Sequence, residues 1–325
     1  MPELPEVETI ARGLRSSLIG RSIIEAKVFL AKTPEGEWAE KSTFEAAVAG
    51  RVIKEVGRRG KLLIIYFQEE YFQEECFQEE HFQEEQGRTE SITGTGANTG
   101  MGVTGTGANT GTGANTGIIG MAFHLKMTGR LFIYHEHAQA NKHTRVAFRL
   151  QDQNQSTSQL FFDDARTFGY VRLFSRESLN LWPFWVQLGP EPLDISVDDF
   201  CRRMQGRRGM KALLLDQHII AGVGNIYADE ALFSAGIHPN AKGHDVPHAK
   251  LVRLHAALQA VLLQSIAECG SSIRDYRDAH GNAGAFQNCF HVYGRSGQTC
   301  TACQTPLTTA KIVGRTTVFC ECCQR

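Results

Sequence analysis

The chain reads as an α+β protein: an amino-terminal helix and an antiparallel β-sandwich or barrel, then a helical half and a terminal hairpin braced by cysteines. Three observations predict this. Seven short segments in the amino-terminal half are β-branched or aromatic and bounded by glycine or polar turns. Past Leu188 to Asp194 the apolar residues switch to helical spacing. Four cysteines near the end follow a C-x2-C-x16-C-x2-C pattern.

The opening helix is expected from Pro5 to about Leu18. Pro5 suits the first turn, Glu6 and Glu8 complement the helix dipole, and Ile10, Leu14 and Leu18 share one face. RSIIEAKVFL, GRVIKEVG and KLLIIYF follow as strands, and then MAFHLKMTGRLFIY, TRVAFRL, SQLFFDD and GYVRLFS. Between these two groups lies a block from Phe67 to Gly117, where FQEE recurs from Phe67, Phe72, Phe77 and Phe82 and GTGANTG from Gly94, Gly105 and Gly111. A period of five matches neither helix nor strand, and the Gly/Thr/Asn part has too little apolar surface to offset its ordering entropy. The block is therefore expected to be a disordered insertion in a surface loop. In the carboxyl-terminal half VDDFCRRM, RGMKALLLDQ, NIYADEALFSAG and HAKLVRLHAALQAVLLQSIAEC read as helices, the last with a core stripe of Leu251, Leu254, Leu258 and Leu262. The implied domains are 1–189, 190–288 and 289–325.

The 325 residues hold 34 basic and 35 acidic side chains, net −1, which by itself argues against a nucleic-acid partner. Nine of the glutamates, against one arginine (Arg88), lie in the repeat block, so the other 274 residues hold 33 basic and 26 acidic groups, net +7. Partitioned in this way, the charge supports a basic binding face. No apolar run approaches the roughly 20 residues of a spanning helix. MPELPEVETIARGL is too acidic and too weakly apolar for a signal or transit peptide.

Nine cysteines without a secretion signal, five of them scattered, do not make a disulfide framework. Cys300, Cys303, Cys320 and Cys323 instead have the spacing of two knuckles that place four thiolates around one structural Zn2+. Cys322 is adjacent, but only Cys323 keeps the two-residue gap from Cys320. Between the knuckles, TTAKIVGRTTVF reads as two strands turning at Gly314–Arg315, a rigid mount from which an arginine can meet a phosphate.

PELPEVET, AGVGNIYADEALFSAGIHP, VYGR and the terminal cysteine knuckles, in that order, resemble the formamidopyrimidine-DNA glycosylase family, bifunctional enzymes that remove oxidised purines from DNA. The resemblance spans residues 1–66 and 118–325. It implies a β-sandwich catalytic domain, a helix–two-turn–helix DNA-binding domain and a zinc finger. It also implies that Pro2, freed by removal of Met1, is a Schiff-base nucleophile. A terminal amine has a pKa of about 8, so a useful fraction is unprotonated at neutral pH. Glu3 is then the general acid and Glu6 orients the site or eases the cost of the cation. Lys61 assists elimination, and Arg315 grips the phosphates flanking the lesion and assists the second elimination.

The DNA contacts follow from the same resemblance. Asn225 opens a helix after the GVG turn, where amides and close-approaching glycines can hold a phosphate. His143, Arg166 and Arg207 match further contacts, Arg207 standing where a lysine is frequent, and Lys211 is expected at a phosphate. Met127, Arg166 and Phe168 match the side chains that fill the gap left by a flipped base, with Arg166 facing the orphaned partner. The segment GSSIRDYRDAHGNAGAFQNCFHVYGR resembles the loop that closes over the flipped purine. The expected partner is damaged double-stranded DNA, with no membrane, a monomeric state and a cytoplasmic, nucleoid-associated location. Two alternatives remain: a glycosylase of endonuclease VIII type for oxidised pyrimidines, and a non-catalytic DNA-binding zinc protein.

Overall fold

Residues 2–69, 117–135, 137–273 and 276–325 are described by a computed structural model of the chain. Its first helix, α1 (Leu4–Leu18), starts where Pro5 fits the first turn and where the Glu3 N–H donates to the Glu6 carboxylate at 2.9 Å. Val7, Ile10, Leu14 and Leu18 form its buried face. Nine strands and a short helix follow: β1 (Ser22–Val28), β2 (Pro34–Glu35), α2 (Lys41–Val48), β3 (Ile53–Arg59), β4 (Leu62–Phe67), β5 (Ile118–His124), β6 (Gly129–His135), β7 (Thr144–Gln151), β8 (Thr157–Asp164) and β9 (Tyr170–Ser175). They form two sheets, β1-β7-β8-β6 and β2-β9-β5-β4-β3, antiparallel throughout except for the β2–β9 pair.

The continuous apolar run LLIIYF of β4 is explained by cover on both faces. Leu63, Ile65 and Phe67 enter the core between the sheets with Phe123, Phe148, Phe162 and the α1 stripe. Leu62 and Ile64 point the other way, against Tyr170, Phe174 and Trp182. Trp182 stands between two short helices, α3 (Arg176–Leu181) and α4 (Pro183–Val186). Neither these nor α2 is among the expected helices, because they are too short to show a helical stripe; α2 buries only Phe44 and Val48. The segment MAFHLKMTGRLFIY divides into β5 and β6 around Lys126, whose left-handed φ of 49° breaks the strand.

Phe67 is the last residue of β4 and sits in the core, so the first FQEE copy starts as strand rather than loop. The expected disordered stretch beyond it, 70–116, lies outside the described residues.

The helical half comprises α5 (Val197–Met204), α6 (Met210–Leu215), α7 (Asn225–Ala235) and α8 (His248–Ala267), which share one core with Leu4 of α1. The stripe Leu251, Leu254, Leu258 and Leu262 is buried there. α7 stops at Gly236, whose φ of 66° makes a left-handed cap. The terminal hairpin pairs β10 (Thr308–Ile312) with β11 (Arg315–Phe319). Its turn is Val313–Gly314, both at positive φ, so Arg315 is the first residue of β11 and not part of the turn. Among the described residues, no helix is long and apolar enough to cross a membrane.

Candidate active site

The GVG turn, Gly222–Gly224, receives the amino terminus. The Leu4 N–H donates to the Gly222 carbonyl at 3.0 Å. At Gly222 (φ 80°) a Cβ would come within 2.7 Å of the Leu4 side chain, and at Gly224 it would fall inside the Glu3 carboxyl group. Glycine at these positions therefore lets Glu3 lie flat on the backbone that leads into α7. There the Ile226 N–H, in the first turn of α7, donates to Glu3 Oε1 at 3.1 Å. Gln217 fixes the turn from below: its Oε1 accepts from Gly222 N and its Nε2 donates to Val223 O, both at 2.9 Å.

Lys61 reaches the same turn from the β3–β4 connection, donating from Nζ to the Val223 carbonyl at 2.9 Å. Pro2, Glu3, Glu6 and Lys61 are all buried, with Glu3 4% and Lys61 7% exposed. Burial pushes the Glu3 carboxyl up to about 6, against the pull of Lys61. Burial also pushes Lys61 down, although Glu3 and Glu6 favour its charge; nearby Arg315 adds to the depression. Glu3 Oε2 is buried without a hydrogen-bond partner. Glu6 is fully engaged, accepting from Glu3 N, from Tyr227 OH at 2.5 Å and from Ser271 N at 2.9 Å. Glu3 and Lys61 are thus two titratable groups whose neutral forms burial favours.

The residues leading to Lys61, Arg58 to Gly60, are held by carboxylates. Arg58 pairs with Glu191 at 2.5 Å and Glu8 at 3.3 Å, and the Gly60 N–H donates to Glu191 at 2.6 Å. α7 fixes the surrounding elements with successive side chains. Asn225 Nδ2 donates to the Thr316 carbonyl of β11 at 3.1 Å, and Tyr227 meets Glu6. Asp229 pairs with Lys211 at 2.6 Å, and Glu230 accepts from the backbone N–H groups of His291, Val292 and Tyr293 at 2.8 to 3.0 Å.

Met127, Arg166 and Phe168 project together on two loops. Met127 is 45% and Phe168 60% exposed, and Arg166 Nη1 lies 3.3 Å from the Met127 sulfur. Buried Asp164 ties the loops to each other: it accepts from Thr128 Oγ1, from Arg166 N at 3.2 Å and from Gly169 N at 2.7 Å. His124 supports the Met127 loop by accepting from Lys126 N at 3.1 Å, and burial drives its pKa down to about 3, which keeps the acceptor neutral. His143 is half-buried ahead of β7, and Arg207 is exposed between α5 and α6. Lys211, expected at a phosphate, is 0% exposed and ion-paired to Asp229, so it has no surface to offer DNA.

The Sγ atoms of Cys300, Cys303, Cys320 and Cys323 lie within 4.8 Å of one another, with Cys303–Cys320 at 3.4 Å and Cys300–Cys323 at 3.9 Å. A tetrahedral ion with S ligands at about 2.3 Å needs S···S separations of about 3.8 Å. The four thiols therefore fit one metal ion, while Cys322 is exposed and outside the cluster.

Glu191, Tyr227 and Glu230 escape a reading of the sequence, because their partners lie far away along the chain. Gln217 and Asp164 bind within a few residues, but an isolated polar residue beside a turn carries no signal of that role. Lys211 carries a local signal that could have been read: it shares MKALLL with Met210, Leu213 and Leu214, all buried on one core-facing stripe.

Fold and site together define a mixed α+β protein whose reactive groups gather at its own amino terminus, against a helix–turn element and a cysteine-held hairpin. The formamidopyrimidine-DNA glycosylase N-terminal domain matches residues 1–85 and 112–171, and the H2TH domain of the same enzyme matches 188–277. Formamidopyrimidine-DNA glycosylase from Nitratidesulfovibrio vulgaris is 48% identical over 369 residues, covering 100% of both chains. The Desulfitobacterium hafniense protein is 35% identical over 329 residues, again covering 100% of both. A mutant Lactococcus lactis protein in complex with Fapy-dG-containing DNA has a TM-score of 0.77 at 27% identity over 100% of both chains. The Lactococcus lactis protein with abasic-site DNA has a TM-score of 0.77 at 26% identity over 99% of each. The chain belongs to the formamidopyrimidine-DNA glycosylase family.

Proposed function

We propose that this chain is a base-excision DNA repair glycosylase that acts on oxidised purines such as 8-oxoguanine and formamidopyrimidines, and then nicks the abasic strand. The observation that supports this most is the burial of Glu3 and Lys61 at the Pro2 end of α1, with Glu3 raised to about 6 and Lys61 depressed.

With Met1 removed, the Pro2 nitrogen is a secondary amine. Its lone pair forms the N–C1′ bond as the C1′–base bond breaks, the N–H proton going to the departing base; the C1′–O4′ bond then opens as O4′ takes a proton from Glu3. The product is an iminium cation, which the Glu6 charge next to Glu3 makes less costly. That cation draws electrons from C1′, so a C2′ proton is lost and the 3′ phosphate leaves by β-elimination. A depressed Lys61 suits the proton transfers of this step, and Arg315 assists the second, δ, elimination. Water later splits the iminium and releases Pro2.

Met127 and Phe168 would wedge the space left by the flipped base while Arg166 meets the orphaned partner, costing the few kcal/mol that unstacking requires. His143, Arg207 and Asn225 are assigned to phosphates. Cys300, Cys303, Cys320 and Cys323 would hold one structural Zn2+ that fixes the hairpin and takes no part in the reaction. The division into 1–189, 190–288 and 289–325 is retained, as is a monomer acting on duplex DNA at the nucleoid.

The test is borohydride trapping on an 8-oxoguanine:cytosine duplex. A covalent adduct is expected from protein lacking Met1, greatly reduced in Pro2→Gly. No adduct, or undiminished trapping in Pro2→Gly, overturns the mechanism. A thymine-glycol duplex cleaved faster than the 8-oxoguanine duplex would move the chain to the pyrimidine-directed class.

A further inference from the structure

We propose that Lys211 and Thr317 are positioning residues that seat the Arg315 end of the terminal hairpin on the same frame that holds Glu3. The inference rests on the reading of Arg315 as a phosphate-gripping residue.

Arg315 stands at the turn end of β11, five residues before Cys320, so about 17 Å of strand separates it from the cysteine cluster. A metal ion there fixes the open end of the hairpin and leaves the turn end to be held by something else. The anchor is in α6. Lys211 Nζ lies 2.6 Å from Thr317 Oγ1 and 2.6 Å from Asp229 Oδ1, all three side chains being buried. Thr317 Oγ1 in turn donates to the Arg315 carbonyl at 3.3 Å. One residue earlier along the chain from Thr317, the Thr316 carbonyl accepts from Asn225. The first three residues of β11 are therefore tied to α6 and to the first turn of α7. Ile226, next to Asn225, donates to Glu3.

A buried lysine is costly unless it is paired, and an apolar side chain on this core-facing stripe would pack at least as well. What a methionine or leucine cannot supply is a directed donor to the hairpin. Burial lowers the Lys211 pKa and Asp229 opposes that, with Glu3 adding to the opposition and Arg315 to the lowering.

The test uses the full-length, metal-loaded protein on an abasic duplex, comparing the KM for DNA, kcat, and the ratio of δ- to β-elimination products. Thr317→Val is expected to raise KM about tenfold and to shift products toward β, with Pro2 trapping at saturating DNA unchanged. Thr317→Ser, which keeps the hydroxyl, should return both to within about twofold of wild type. In an Arg315→Ala background, Thr317→Val should add less than about twofold, because the two act through one contact. Lys211→Met should repeat the Thr317→Val pattern, with melting temperature and bound metal measured in parallel. If it does not fold, the Thr317 pair still decides.

A Thr317→Val effect that is undiminished without Arg315, that Thr317→Ser does not reverse, or that is absent overturns the proposal. If Arg315→Ala itself matches wild type in KM and products, the assignment of Arg315 fails, and this inference fails with it. Absence of a wild-type adduct marks failure of the enzymatic reading instead.

Discussion

Glu3 is held where a carboxylate is least comfortable, under the amino terminus and against Gly224, and its pKa rises from 4.5 to about 6. Between these two values the folded chain binds more protons than the unfolded one. The stability associated with the neutral group is therefore full below pH 4.5 and is lost as pH rises through 6, by about 2 kcal/mol. Glu3→Gln, which stays neutral, should raise the melting temperature at pH 8 by about 4 °C and leave it unchanged near pH 4, while abolishing base release. Equal shifts at both pH values would reject burial as the cause. Gly224→Ala tests the same contact sterically, because its Cβ would occupy the Glu3 carboxyl position. We expect kcat to fall at least about 100-fold, with only about 1–3 kcal/mol lost in stability. At this scale the sequence was legible only in part. Pro2, Glu3 and Lys61 stand in motifs, but the groups that hold them, such as Tyr227 and Glu191, are ordinary polar residues whose role exists only after folding brings distant segments together.

At the scale of elements, periodicity served the long amphipathic pieces well: the α8 stripe and the α1 face lie in the core as their spacing requires. It served poorly where length was short, as in α2 and α4, or where a repeat began inside a strand. That last case is testable. Phe67 pairs with Ile53 and fills the core, and Gln68 N still donates to Val52 O at 2.8 Å, so the strand outlasts the first residues of the repeat. Removing 70–116 and joining 69 to 117 leaves an antiparallel β4–β5 connection, since Tyr66 already faces Gly120. Shortening this connection from about 50 residues to about three lowers the closure cost by about 2 kcal/mol, so the melting temperature should rise by about 4 °C. Removing 67–117 also deletes the Phe67 side chain, a loss of about 3–5 kcal/mol, and should lower the melting temperature by about 10 °C relative to the first deletion. Similar temperatures for the two deletions would mean that Phe67 contributes nothing to the sandwich.

Across the whole molecule, the net +7 of the 274 residues outside the repeats overstates what DNA can meet. Arg58 is taken up by Glu8 and Glu191, Arg202 and Arg203 by Asp199, Arg208 by Asp216, and Lys211 by Asp229. Of the cations assigned to DNA, Arg166, Arg207 and Arg315 are exposed. Binding that releases one counterion set per cationic phosphate contact follows the number of such contacts rather than net charge. With Arg207 and Arg315 at phosphates and Arg166 at the orphaned base, the logarithm of the affinity should fall with the logarithm of salt concentration at a slope of about −2, as read by fluorescence anisotropy on an abasic duplex. Arg207→Ala should reduce the slope by about 1 and weaken matched and unrelated sequences alike, because a phosphate contact holds the duplex without reading it. A slope near −7 would mean that the diffuse charge of the whole chain, rather than Arg207 and Arg315 at their phosphates, governs binding, and the partition of charge between site and scaffold would then be wrong.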